Sequence, residues 1–111
     1  MKMLYASVHS VLEYDECTLF SNLGVDVFSN GAYLNPAGHY MLPRPGIPKM
    51  NYYPDMADLA AKAPKTSFPQ QLIDWADVIV IMHDPYILSE NWPRIKHKKV
   101  IWRSIGQSLP W

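Results

Sequence analysis

Short polar segments follow four apolar runs of the sequence, each at the point where the run stops. They contain Ser7, His9 and Ser10 after the first run, Asn30 and Gly31 after the second, His83 and Asp84 after the third, and Arg103, Ser104, Gly106 and Gln107 after the fourth. An imidazole can donate, accept or transfer a proton, and a guanidinium binds phosphate or carboxylate. If the runs are parallel strands, these groups meet at one edge of a sheet and can form a small-molecule site.

Each of these residues also has a structural interpretation that needs no ligand. A histidine at a strand end is often a satisfied structural residue, and Asp84, directly before Pro85, fits the cap of a helix. Arg103, followed by a loop that contains glycine, is the best candidate for binding an anion. The sequence therefore predicts a functional edge and leaves both interpretations of its histidine and aspartate open.

Several common catalytic motifs are absent from the sequence. The segment after the first run, Ser7-Val8-His9-Ser10, lacks the G-x-G-x-x-G pattern of dinucleotide binding. There is no Walker phosphate loop, and no serine has the context of a nucleophile elbow. The histidines are dispersed and Cys17 is the only cysteine, so spacing supports neither a metal site nor an intrachain disulfide.

The strands that would position these groups are predicted by hydrophobic runs. Val78 to Met82 is continuously apolar, which is typical of a strand buried on both faces of a parallel sheet. Met3 to Ser7 and Val25 to Ser29 form two further strands at the start of the chain. Val100 to Trp102 forms the fourth, and its apolar composition predicts that it is buried as well.

Helices are predicted between the strands. Ser10 and Glu13 fit a capping box, and a helix should run from about Val11 to Leu23 and end at Gly24. The stripe expected to face the core consists of Leu12, Glu16, Leu19, Phe20 and Leu23. Three shorter helices are expected. The first covers Asp55 to Ala63, and the second follows a capping box at Ser67-Phe68-Pro69-Gln70 and contains Leu72, Ile73 and Trp75. The third covers Pro85 to Asn91 and is broken near Trp92-Pro93.

Strands and helices that alternate in this way predict an α/β fold. We expect a single, partial Rossmann-like domain over residues 1–111, with a parallel sheet of about four strands in the order 2-1-3-4 and helices on both faces. The fourth strand, Val100 to Trp102, would be an open edge that recruits a second copy or another protein. The segment from Asn30 to Tyr53 is rich in proline and tyrosine, and either covers a sheet face or forms one wall of a cleft.

Composition excludes several classes of protein. Ten basic residues balance ten acidic ones, which argues against binding nucleic acid by phosphate neutralisation. No apolar run approaches the roughly 20 residues that span a bilayer, and the first residues do not fit a signal peptide. With one cysteine, we expect a cytoplasmic location. The basic run from Arg94 to Lys99 is interpreted as a solvated connector in preference to an anion site.

The residues Asp77-Val78-Ile79-Val80-Ile81-Met82-His83-Asp84-Pro85 resemble a segment of the retaining GT-B glycosyltransferases of the family 4-like group, in which an apolar strand ends in His-Asp/Glu-Pro. The first strand, the Val25 to Ser29 strand and the segment from Lys99 to Ser108 are similar to other parts of the same domain. The resemblance implies that the chain is the N-terminal, acceptor-side domain of such an enzyme.

The resemblance also implies roles for individual residues. His83 would be the catalytic histidine, in the cleft near the transferred sugar. His9, Ser10, Asp84, Arg103, Ser104 and Gln107 would bind the acceptor or phosphate-like groups. The donor would be a nucleotide-sugar held mainly by a second domain through paired glutamates, and no metal or other cofactor is expected.

The sequence departs from the pattern of this family in two ways. Val8-His9-Ser10 replaces the glycine-rich loop that commonly follows the first strand, and these 111 residues do not include the donor-binding domain. We therefore expect the chain to be inactive alone. Two alternatives stay open: a non-catalytic module that pairs through its fourth strand, and, with less support, a small domain of the flavodoxin or response-regulator type.

Overall fold

In the computed structural model the described residues are 1–7, 10–30, 59, 62, 63 and 66–103, without the side chains of 7 and 10–12. Within this part the elements are β1 Lys2–Ser7, α1 Ser10–Asn22, β2 Asp26–Ser29, α2 Gln70–Trp75, β3 Val78–Met82, α3 Pro85–Ile95 and β4 Lys99–Arg103. The cover or cleft wall predicted from Asn30 to Tyr53, and most of the helix predicted from Asp55 to Ala63, lie outside the described residues.

The four described strands form one parallel sheet in the order β2-β1-β3-β4, which confirms the predicted order. β3 lies between β1 and β4, and all five of its residues are buried. Val78 is in register with Met3 of β1 and with Lys99 of β4. Because all four strands run the same way, their carboxyl ends lie along one edge of the sheet, where ligands bind in open α/β folds.

The helices cover opposite faces of the sheet, since alternate strand residues point to opposite sides. One core joins α1 to Met3, Tyr5, Val27, Val78, Val80 and Met82. The other joins α2 and α3 to Leu4, Ala6, Phe28, Ile79 and Ile81. The connection from β1 to β2 therefore lies on one face and that from β3 to β4 on the other. Between β1 and β3 the connections switch faces, and a crevice is expected at the strand ends there.

The predicted inward face of α1 is partly confirmed and partly wrong. Phe20 packs against the core and Glu16 is largely buried, as predicted. Leu19 and Leu23, which were expected in the core, are 54% and 70% exposed, whereas Glu13 and Cys17 are fully buried. The helix is rotated because its carboxylates and thiol meet polar partners on the sheet, which a purely hydrophobic pattern does not register. The predicted end is correct, since the turn after α1 places Gly24 at a φ of +90°.

The predicted break of α3 near Trp92-Pro93 is also wrong, because the helix continues through Pro93 to Ile95. Pro93 has no N–H to bond the Ser89 carbonyl, but both residues lie on the exposed side, where water can hydrate that group. The fully buried Asn91 joins this helix to the start of α2. Its Oδ1 accepts from the Phe68 N–H at 2.8 Å, and its Nδ2 donates to the Thr66 carbonyl at 2.8 Å.

The basic run, from Arg94 at the end of α3 to Lys99 at the start of β4, divides into two groups. Lys98 Nζ donates to the Ala76 carbonyl at 2.7 Å and approaches the Asp74 carbonyl at 3.4 Å, so it neutralises the carboxyl end of α2. Arg94 donates to Asn91 Oδ1 at 2.9 Å. Lys96 and Lys99 remain exposed. Lys98 and Arg94, which were predicted to be part of a solvated connector, therefore stabilise the fold through hydrogen bonds.

β4 departs from its prediction as a buried strand. Ile101 is 39% exposed, while Val100 and Trp102 are half-buried against the core of α2 and α3. Within the described part of the chain, α1 packs mainly against β1 and β2, and no described helix covers the α1 side of β4. Among the described residues, no helix has the length and apolar character required to cross a membrane.

Candidate functional site

The backbone of His83 makes a strained corner at the carboxyl end of β3. Its φ is +69°, and the Asp84 N–H donates to the Met82 carbonyl across it at 2.8 Å. This is a γ-turn with positive φ at the central residue, the rare and strained form. The His83 N–H donates to the Arg103 carbonyl at 2.7 Å, which continues the pairing of β3 with β4 and holds the corner in place.

A left-handed conformation at a histidine costs about 1–3 kcal/mol, and such strain concentrates at functional sites. The same backbone position could be occupied by glycine at no steric cost. The structure therefore uses a residue that the fold does not favour at the end of its central strand.

The His83 side chain is half-buried, and its Nδ1 is buried without a hydrogen-bond partner within the described part of the chain. Trp102 Nε1, on the neighbouring strand, is in the same condition. Trp102 pairs with Ile81 in register, two positions before His83, so both residues lie near the carboxyl ends of β3 and β4. Buried polar atoms are nearly always satisfied in folded proteins, so two ring nitrogens on neighbouring strand ends that no described residue satisfies are unusual.

Asp84 has the structural role that the sequence offered as one interpretation. Its Oδ1 accepts a hydrogen bond from the Tyr86 N–H at 2.9 Å, and Pro85 is the first residue of α3. The aspartate thus caps the helix and fixes where it begins. Because the cap follows the γ-turn directly, the strand, the His83 corner and the helix form one continuous bonded unit.

Arg103, predicted to bind an anion, forms an ion pair with Glu16 of α1. The guanidinium is 43% exposed and the carboxylate 13% exposed. The other carboxylate oxygen of Glu16 accepts from the Tyr5 hydroxyl at 3.0 Å. The side chain of Arg103 is therefore directed across the sheet toward α1, and its charge is partly compensated before any ligand arrives.

A second polar group lies deeper, where β2 ends. Ser29 Oγ donates to Glu13 Oε2 at 2.6 Å, and both side chains are almost fully buried. The Cys17 thiol lies in the same layer, and burial, reinforced by the Glu13 carboxylate, raises its pKa far above the ordinary value. The thiol therefore stays protonated at ordinary pH, and Cys17 serves as part of the core.

The structure brings three of the predicted site residues together: His83, Asp84 and Arg103 are adjacent at one corner. His9, Ser104 and Gln107 lie outside the described residues, and of Ser10 only the backbone, at the start of α1, is described. Within the described ranges, no three side chains of the types that ligate metals are gathered at one place.

Sequence reasoning placed Glu16 on the inward face of α1, but it missed the burial of Glu13 beside Cys17 and the unsatisfied nitrogen of Trp102. One signal was available in the sequence. Glu13, Glu16 and Cys17 recur at helical spacing, so they share one face of α1. The sequence has no such signal for Trp102, because whether its Nε1 is buried without a hydrogen-bond partner depends on how distant residues pack around it.

Comparison of the chain with known protein families, with curated proteins and with solved structures found no match.

Proposed function

We propose that this chain is the acceptor-side domain of a glycosyltransferase of the GT-B kind, which transfers a sugar from a nucleotide-sugar donor and is not active alone. The strained His83 corner carries the proposal. It lies at the carboxyl end of the strand beside the switch point, where a crevice is expected, and a histidine adopts its positive φ only at an energetic cost that glycine would avoid.

The chemistry of the corner suits a ligand rich in hydroxyl groups. A hydroxyl both donates and accepts hydrogen bonds, and an imidazole nitrogen can meet it in either role. His83 Nδ1 has no competing partner among the described residues. In this proposal His83 contacts the transferred sugar. Arg103, whose backbone carbonyl accepts from the His83 N–H, offers a half-exposed guanidinium to a phosphate or carboxylate group.

The remaining parts of the proposal follow the resemblance of the sequence. The donor nucleotide would be held by a second domain, and His9, Ser10, Asp84, Ser104 and Gln107 would complete the acceptor side. The proposed setting is cytoplasmic, and the proposed chemistry needs no metal.

The test is a titration of the isotope-labelled chain with sugars, simple glycosides and nucleotide-sugars, monitored by backbone amide resonances. We expect saturable shifts at His83, Asp84 and Arg103, with dissociation constants in the millimolar range because one domain supplies only part of the site. Shifts confined to other regions, or no shift with any of these compounds, would contradict the proposal.

A matched pair of variants separates binding from folding. In His83→Gly the strain is relieved, so we expect an unfolding free energy equal to that of the wild type or up to about 1 kcal/mol higher, with the shifts abolished. His83→Val also removes the imidazole but places a branched side chain at positive φ, and should be about 1–2 kcal/mol less stable than the glycine variant. If the glycine variant still bound sugars, His83 would have no part in binding.

A further inference from the structure

β4 is an edge strand of the sheet that the described residues form. Among the described residues it pairs with β3 alone, over five residues from Lys99 to Arg103. Ile101 is 39% exposed between the exposed Lys99 and Arg103, and the three side chains share one face. Unpaired N–H and C=O groups along an edge of this length are a template for an added strand.

Charge opposes a second copy of the chain as the added strand. If two copies of β4 pair in antiparallel fashion over all five residues, Ile101 of one copy lies opposite Ile101 of the other. Lys99 of each copy then lies opposite Arg103 of the other copy, so the pair contains two such contacts between like charges. Like charges directly opposite each other destabilise a strand pair. A strand with carboxylates at those two positions and an apolar residue between them would instead gain from both cations.

The positive charge is least compensated at the amino end of β4. Arg103 is paired with Glu16, and Lys98 is bound to carbonyl groups of the α2 end. Lys99 and Lys96 are exposed, and neither has an ion pair with a described residue. A partner should therefore place its strongest negative charge beside Lys99.

We propose that the free edge of β4 binds an extended acidic segment of another protein by strand addition. Backbone hydrogen bonds would supply the affinity, an apolar residue would cover Ile101, and carboxylates beside Lys99 and Arg103 would select the partner. This interaction uses a different edge from the His83 corner and does not depend on sugar transfer.

The probes are two synthetic peptides, Glu-Thr-Val-Thr-Glu and Lys-Thr-Val-Thr-Lys, titrated into the isotope-labelled full chain. We expect the acidic peptide to shift the amide resonances of β4 saturably and to bind about tenfold more tightly than the basic one. Lys99→Glu should abolish most of the preference, because a glutamate then faces the first carboxylate of the acidic peptide while Arg103 stays positive. Lys2→Glu, the same charge change on an exposed residue of β1, should leave the preference unchanged.

Three outcomes would overturn the proposal. If the two peptides bind equally or not at all, the flanking cations only protect the edge from aggregation. If Lys99→Glu binds as the wild type does, charge at that position does not select the partner. If the chain forms a dimer in solution that Ile101→Lys dissociates, the occupant of the edge is a second copy.

Discussion

The two outer strands of the sheet differ more than their shared position suggests. β2 and β4 each pair with one neighbour in parallel, yet Val27, Phe28 and Ser29 of β2 are at most 3% exposed, while Ile101 of β4 is 39% exposed. The difference arises from cover, because side chains of β2 enter both cores whereas β4 has a packed face and an open one. An edge strand can therefore anchor the fold or remain available for recognition.

The polar contacts of the two edges differ in the same way. At β2 the bond between Ser29 and Glu13 is closed off from water. At β4 the ion pair between Arg103 and Glu16 is partly exposed to solvent. Buried charges need their partners, whereas exposed pairs contribute little. Five measurements can break or sharpen this contrast.

The largest effect is expected from Phe28→Ala, which removes a ring that is 3% exposed in the core shared with α2 and α3. The free energy of unfolding should fall by about 3–5 kcal/mol. Chemical denaturation measures it, and Ile101→Ala on the opposite edge is the control. Losses of similar size in the two variants would abolish the distinction between the edges.

Ser29→Ala should cost about 1–3 kcal/mol, because it deprives the buried Glu13 carboxylate of a donor. A double-mutant cycle with Glu13→Gln isolates the pair, and we expect clear coupling between the two substitutions. Additive losses would show that the short bond contributes no specific energy.

The buried Cys17 should make the protein less stable in alkaline solution. Burial raises the pKa of the thiol, so the folded state retains a proton that the unfolded state releases above about pH 9. Stability is complete below that pH and should decline above it by up to about 1.4 kcal/mol per pH unit. Denaturation at several pH values, compared with Cys17→Ala, isolates this decline, and equal slopes in the two proteins would refute it.

Arg103→Gln should cost no more than about 1 kcal/mol, since the guanidinium is half-exposed and screened by water. The loss should shrink as salt is added. Thermal denaturation at low and high ionic strength gives both quantities. A loss of several kcal/mol, insensitive to salt, would place this pair with the buried contacts of β2.

The smallest effect is expected from Ile101→Thr, which keeps the branched shape that suits a strand on an exposed face. Its unfolding free energy should stay within about 0.5 kcal/mol of the wild type. The same denaturation measurement would reveal a larger loss, and that result would mean that the open face of β4 is covered in solution.

Much of the fold could be predicted because the signals are local. A continuous apolar run such as Val78 to Met82 identifies a buried strand, and alternation of such runs with helices predicts the parallel order. Asp84 and Gly24 mark helix ends because their local chemistry decides the backbone.

The errors have a different origin, because they depend on contacts between distant residues. Glu13 and Cys17 face inward only because Ser29 lies opposite them, 16 positions from the glutamate. The exposure of Ile101 in β4 depends on which strands α1 covers, and α1 packs mainly against β1 and β2. At the His83 corner, the position of His83 at the strand end and the helix cap at Asp84 could be predicted from the sequence. The γ-turn could not, because local preference favours glycine at a positive φ.

The γ-turn at His83 has a consequence for how substitutions are tolerated. If variants are selected for folding alone, glycine and asparagine should be enriched at this position, because both accept a left-handed backbone. If they are selected for function, histidine should be retained. At the buried positions of β3 the two selections should give the same preferences. A saturation library scored in both ways would therefore separate the residues that this protein needs in order to fold from those that it needs in order to act.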